Sequence, residues 1–280
     1  MTSKRLLITG TSTGFGRAFA EAALAAGHQV VGTVRTEAAG RDLEQLAPGR
    51  ARAVVLDVTH TAQIPPAIER LARDGGGPID VLINNAGYGS EGVIEETPLD
   101  ELRRQFEVNV FGAVAMIQAV LPSMRARRTG QIINVTSMGG YITMPGLGYY
   151  HGSKFALEGI TETLAKEVAH LGIRVTALAP GGFRTEWAGR SMTRTPRSIA
   201  DYDEVFDPLR AARQARSGKQ AGDPRKAAQV VVDLLDNPAP PVHLVIGSDA
   251  LQLVRDKLSS LGASIEQHAA ISRSTDVSDG

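Results

Sequence analysis

The pentad YHGSK at residues 150–154 pairs a phenol with an ammonium, and thirteen positions before the tyrosine the apolar run IINVTS ends on the hydroxyl of Ser137. Four residues apart on a helix, Tyr150 and Lys154 share one face about one turn from each other. The adjacent Tyr149 has Ser153 at the same offset and no cation. A phenol whose pKa is ordinarily about 10 serves as acid and base near neutrality only if that value falls by roughly two to three pH units, about 3 to 4 kcal/mol. A neighbouring ammonium favours the phenolate and acts in that direction. Tyr150 is therefore the candidate proton donor and acceptor, and Ser137 the second donor that would hold a carbonyl oxygen. Each feature alone is ordinary, since a Tyr–Lys pair at this spacing is commonly a solvated helix face and a Ser after a strand is commonly a turn residue.

A second chemistry-bearing segment lies near the start. TGTSTGFG at residues 9–16 follows an apolar run and opens a helical one, with Gly10, Gly14 and Gly16 placed for a tight turn and close approach of a phosphate. The N-H groups at the start of such a helix face a pyrophosphate with the positive end of the dipole. Strand, glycine loop and helix in that order match the dinucleotide fingerprint. The next strand ends in Val34 and Arg35 with no acid. A carboxylate there would hydrogen-bond a free ribose 2'-hydroxyl, whereas a guanidinium grips a 2'-phosphate. The expected cofactor is thus NADP(H), with NAD(H) as the alternative and a solvated surface charge as the plain explanation of Arg35. Asp57, followed by Val58, is placed either to meet an adenine amino group or to cap a helix. NNAG at residues 84–87, with Asn85, Ala86 and Gly87, ends a fourth strand where small residues let a cofactor approach.

These residues need a frame that collects strand ends. Apolar, β-branched runs (RLLIT, QVVGTV, AVVLDV, DVLINN, QIINVTS, IRVTALAP, VHLVI) alternate with helical periodicity at about 15–26, 37–46, 61–73, 99–127, 150–171 and 224–236. The expected architecture is α/β: one domain over residues 1–280, a doubly wound parallel sheet of Rossmann type with helices on both faces. Two stretches break the rhythm. Residues 185–223 form a long insertion of the kind that serves as a lid, a binding loop or a disordered segment. Residues 248–280 form a helical extension expected to pack on the domain or on a second subunit.

Composition sets limits on partners. Thirty basic and thirty acidic residues without long runs of one sign provide no field for nucleic acid or anionic membranes. The absence of cysteine excludes disulfides, thiolate metal sites and a Cys nucleophile. The six histidines show no ligand spacing, so no metal is expected, and His151 is read as non-catalytic because helix neighbours point about 100 degrees apart. The stretch 108–122 is shorter than the about 20 apolar residues a bilayer requires and reads as a buried helix, so no membrane insertion is expected. With no secretory pattern at the N-terminus, the expected location is cytoplasmic.

Taken together, TGTSTGFG, LDV at 56–58, NNAG, Asn109 in VNVFG, Ser137, YHGSK and PGGFRT at 180–185 resemble the single-domain branch of the short-chain dehydrogenases/reductases, in family order over about residues 4–185. The resemblance implies that Tyr150 protonates a carbonyl or deprotonates an alcohol, Ser137 orients that oxygen, and Lys154 holds the nicotinamide ribose and lowers the tyrosine pKa. It implies that Asn109 keeps a water linking Lys154 to solvent. It also implies a cofactor cleft of Gly10, Ser12, Thr13, Gly14, Phe15, Gly16, Arg35, Asp57, Val58, Asn85, Ala86, Gly87, Pro180, Gly181, Phe183 and Thr185. Hydride would pass directly between nicotinamide and a small-molecule carbonyl or alcohol. The expected substrate wall is Ser137, Met138, Tyr141, Met144, Tyr150 and Trp187, with Phe183 and Met192 in the same mobile segment as Trp187. It suggests an apolar substrate, while Arg184, Arg190, Arg194, Arg197, Arg210, Arg213 and Arg216 either attract an anion or form a solvated face. A homodimer is expected, with a tetramer as the alternative. A cofactor-binding regulator without turnover and a nicotinamide-dependent isomerase or dehydratase are the rival readings.

Overall fold

The computed structural model describes residues 2–277. Its strands are β1 (Arg5–Ile8), β2 (Gln29–Val34), β3 (Ala51–Val55), β4 (Val81–Asn84), β5 (Gly89–Glu91), β6 (Gly130–Val135), β7 (Ile173–Pro180), β8 (Met192–Arg194) and β9 (His243–Ile246). Seven of them pair in parallel in the order β3-β2-β1-β4-β6-β7-β9. The central strands are apolar without alternation because both faces are covered: every residue of β1, β4 and β6 is buried.

The helices are α1 (Gly14–Ala25), α2 (Glu37–Glu44), α3 (Ile64–Leu71), α4 (Leu99–Phe106), α5 (Gly112–Arg127), α6 (Gly148–Val168), α7 (Asp203–Arg216), α8 (Pro224–Asp236), α9 (Ser248–Gln267) and α10 (Ala269–Arg273). One face of the sheet packs Leu6, Ile8 and Ile83 against Phe19 and Leu24 of α1 and Val231 and Leu235 of α8. The other packs Leu7, Leu82 and Ile132 against Ile64 of α3, Met116 and Val120 of α5 and Leu164 of α6. This is the doubly wound α/β sheet expected from the alternation of patterns. The strand order reverses between β1 and β4, and such switch points open a crevice at the carboxyl ends of the strands.

Three segments differ in detail from their sequence patterns. The helix over 99–127 is interrupted by a π turn at Glu107–Phe111. There the side chain of Asn109 turns inward, donating to the Tyr88 carbonyl and to Ser153 Oγ and accepting the Tyr88 N-H. The whole run Leu99–Arg127 is long and apolar enough to cross a membrane, unlike the shorter stretch weighed in the sequence, yet Met116, Ile117, Val120 and Met124 of α5 are buried against the sheet.

The insertion at 185–223 carries β8 and α7, and β8 adds in parallel to β5 to make a second, two-stranded sheet above the crevice. Among the described residues of the C-terminal extension only Ala250 and Val254 of α9 are buried, so its first turns pack on the domain. Leu258, Leu261 and Ile265 further along are exposed.

Candidate functional site

The first turns of α6 carry Tyr150 and Lys154, and the end of β6 delivers Ser137. Ser137 adopts an extended backbone and its Oγ accepts the Gly139 N-H at 3.0 Å, which opens the turn Met138–Gly140. All three side chains are buried. Lys154 Nζ donates to the Val135 carbonyl at 2.9 Å and lies 5.9 Å from the centroid of the Tyr150 ring. The ring is held by Leu147 and Met192 and by Trp187, whose ring centroid is 5.0 Å away. The pair thus sits at the base of an apolar pocket.

Burial governs the charges here. It pushes the Tyr150 phenol up to about 12, against which the Ser137 hydroxyl works by hydrogen bonding. It pulls Lys154 down to about 8, against which the carboxylate of Glu158 works one helical turn further on. The acidified phenol expected from the sequence is therefore not delivered by these side chains alone. In a low-dielectric pocket the cost of forming a phenolate exceeds what a hydroxyl one bond away returns.

At the other end of the crevice Gly10 and Gly14 adopt left-handed backbones. A Cβ at Gly16 would collide with the Gly10 carbonyl, so this position brings α1 directly beneath the loop. Thr13 precedes α1 without capping it, and no acid stands in its first turn. The N-H groups there remain available to an anion. Asn85 ties β4 to this loop: its Nδ2 donates to the Thr9 and Gly10 carbonyls, while the N-H groups of Asn85 and Ala86 donate to Thr9 Oγ1. Arg35 and Asp57 mark the far end. Asp57 is disfavoured as an anion by burial, but the Thr59 N-H and hydroxyl and the charges of His60 and Arg35 outweigh this and hold it below the usual carboxylate range.

A continuous cavity of about 870 Å³ joins the two ends. It is lined by Gly10, Ser12, Thr13, Gly14, Phe15, Arg35, Asp57, Val58, Asn85, Ala86, Gly87, Ser137, Met138, Met144, Tyr150, Lys154, Pro180, Gly181, Phe183, Thr185 and Trp187. The residues present suit a dinucleotide: a glycine cradle that any Cβ would fill, an uncapped helix N-terminus, and a cation beyond the second strand. Of the catalytic, cofactor and substrate-wall residues named from the sequence, three do not line it, and of the arginines Arg184, Arg197 and Arg210 do not. Gly16 and Asn109 lie beneath the wall, bracing the loop and the 85–88 segment.

Tyr141, assigned to the substrate wall, is a correction. Its hydroxyl donates to Glu158 Oε2 at 2.9 Å and lies 2.8 Å from His243 Nδ1, which draws the ring out of the cavity toward β9. Ile142 takes its place in the wall.

Several other residues, given no place in the cavity from the sequence, line it. His151 is the clearest: buried beside Tyr150, it lies 2.9 Å from the Gly139 carbonyl through Nδ1 and accepts the Met144 N-H through Nε2. Burial keeps it below its ordinary pKa, the Gly139 contact opposing and the Arg213 charge assisting. It latches the loop after Ser137. Asp249, at the start of α9, accepts the Gly182 N-H at 2.7 Å and so anchors the loop after β7 to the C-terminal extension. Glu91 was not named from the sequence; it joins the wall beside Arg194, its partner in the β5–β8 pairing, and Arg213 of α7, two of the arginines already singled out as anion-attracting or solvated.

The short chain dehydrogenase family model matches residues 4–195. A 3-ketodihydrosphingosine reductase of Bacteroides thetaiotaomicron is 36% identical, the match covering 94% of this chain and 95% of that protein. A short-chain dehydrogenase from Streptomyces avermitilis has a similar structure, with a TM-score of 0.91 and 41% identity over 98% of this chain and 99% of that one. ElxO with NADP bound is similar at a TM-score of 0.74 and 25% identity, covering 90% of this chain and 100% of that one.

Proposed function

The chain belongs to the short-chain dehydrogenase family, and on that premise we propose that it interconverts a ketone or aldehyde and the corresponding alcohol, with NADP(H) as the preferred cofactor and NAD(H) as the alternative. The observation that carries this reading is the meeting of Ser137, Tyr150 and Lys154 in the wall of the same cavity whose far end is the glycine loop and Arg35. When bound, the nicotinamide supplies or accepts hydride at its C4 carbon. The hydroxyls of Ser137 and Tyr150 hold the substrate oxygen. In reduction Tyr150 Oη gives its proton to that oxygen, and in oxidation it takes the proton of the alcohol. Lys154 places its ammonium beside the phenol and holds the cofactor ribose, and its charge, together with that of an oxidised nicotinamide, opposes the burial that raises the phenol pKa.

Arg35 would grip a 2'-phosphate, Asp57 an adenine amino group, and Thr185 with the backbone after Pro180 the carboxamide. Asn109 would hold a water leading from Lys154. Support for NADP comes from Arg35 and from the NADP bound to ElxO; support for a ketone comes from the name of the Bacteroides relative. We read the protein as a homodimer, on the exposed Phe111 and Phe155, which stand at the start of α5 and on α6, and as cytoplasmic, on the lack of a secretory pattern in its first residues.

Tyr150→Phe tests the assignment. It should lower kcat by roughly a hundredfold to ten-thousandfold while NADPH binding, followed by fluorescence, is kept. Unchanged turnover of a carbonyl substrate would reject Tyr150 as the proton carrier.

A further inference from the structure

We infer that the cavity wall built by Glu91, Arg194 and Arg213 receives an anionic group carried by the substrate, an inference that rests on the carbonyl and alcohol reading of the site. Glu91 ends β5 and is buried to 1% exposure. The register of the small sheet sets Arg194 of β8 opposite it, and α7 brings in Arg210 and Arg213. Arg213 Nε reaches Glu91 Oε1 at 2.6 Å; Arg194 Nε and Arg210 Nε reach Oε2 at 3.0 and 3.5 Å. Among these four side chains three guanidiniums meet one carboxylate, an excess of positive over negative groups, on arginine side chains only 17 to 27% exposed. Arg213 Nη2 is buried without a hydrogen-bond partner.

The excess is local. Arg197, in the same insertion, meets three carboxylates of its own, Glu96, Asp203 and Asp207. The two groups share the ring of Phe206, which is 5.0 Å from the Arg197 guanidinium and 4.8 Å from that of Arg210. Arg197 is thus matched by carboxylates of its own, whereas Arg194 and Arg213, which line the cavity, share Glu91 with Arg210.

That sorting selects the ligand chemistry. Both oxygens of Glu91 are engaged by arginines, so a substrate ammonium would find no free acceptor and a repelling field. An oxyanion would relieve the excess through charge-assisted hydrogen bonds. Around Tyr150 the cavity is lined by Met144, Leu147, Trp187 and Met192. The substrate class is therefore a carbonyl compound with an apolar segment and a carboxylate, sulfonate or phosphate beyond it.

The test uses the full chain with NADPH and three matched compounds: a straight-chain oxo acid, its methyl ester, and the phosphate monoester of the corresponding oxo alcohol. Wild type should favour the charged compounds over the ester by roughly tenfold or more in kcat/KM, a preference that weakens as salt is raised. Arg213→Gln and Arg194→Gln should each cut the ratio of acid to ester, whereas Glu91→Gln, which adds to the positive excess, should keep or raise it. Calorimetric Kd values for the acid and the ester on the NADP⁺ complex give the same ordering without turnover. An ester that binds and reacts as well as the acid in wild type, or a ratio unmoved by both arginine variants, overturns the inference. Preference for one charged compound over the other identifies the head group. Turnover of the ester alone sinks the anion inference and spares the proposed function; acid-selective binding with no turnover of any compound does the reverse.

Discussion

The ammonium of Lys154 and the ring of Tyr150 lie 5.9 Å apart on one face of α6, both buried, with the lysine fastened to the Val135 carbonyl. Burial acts on the two groups in opposite senses, lifting the phenol to about 12 and lowering the ammonium to about 8. The lysine, not the tyrosine, is the first of the pair to change charge as pH rises.

A pH prediction follows for the reduction direction. Below about 8 the ammonium is present; as pH rises through that value it is lost, while Tyr150 keeps its proton. kcat/KM for NADPH, which reports the free enzyme, should fall by roughly tenfold per pH unit on the alkaline side. A profile flat to well above that range would contradict the role given to Lys154.

Glu158 should set where that limb lies. Its carboxylate is buried, accepts from Thr136 Oγ1 and Tyr141 Oη, stands 3.1 Å from His243 Nδ1, and raises the Lys154 pKa. Glu158→Gln keeps the volume and an acceptor but removes the charge, so the alkaline limb should move to lower pH. A limb that stays in place, or moves up, would show that Glu158 does not act on the lysine.

Arg35 should divide the two cofactors. Arg35→Ala removes the cation beyond β2 and should lower kcat/KM for NADPH by roughly tenfold to a hundredfold, with a much smaller effect for NADH. Equal losses for both would remove Arg35 from phosphate recognition.

Gly16→Ala places a methyl group against the Gly10 carbonyl and 2.5 Å from Asn85 Nδ2. Both neighbours are fixed, the first as backbone and the second by its bonds to Thr9 and Gly10. The cost should be about 1 to 3 kcal/mol, seen as a lower Tm, with weakened NADPH binding because the loop must open. An alanine variant that melts and binds like wild type would mean that the loop yields freely.

Much of the frame was legible because its signals are local. The runs that became β2 and β7, and the helix at 224–236, coincide with their sequence patterns, since continuous β-branched strands and a capped amphipathic helix need only their own residues to be recognised. The glycine loop and the four-residue spacing of Tyr150 and Lys154 are local in the same sense. The side-chain bonds that recast particular residues are not. Tyr141 has the composition of a pocket wall, yet it leaves the cavity because a carboxylate on α6 and a histidine on β9, 17 and 102 residues away, take its hydroxyl. His151 lies next to Tyr150 in sequence, and only the folded-back loop at 139–144 makes it a latch.

By itself the sequence determined the parallel α/β sheet, the glycine loop at its first crossover, and the phenol, ammonium and hydroxyl at its strand and helix ends, because these depend on periodicity and short spacings. Only the tertiary structure decided how charge is distributed around them. Burial, which no spacing records, sets the directions in which Tyr150 and Lys154 shift. The pairing of β5 with β8, residues about a hundred positions apart, gathers Glu91 and its arginines into one wall.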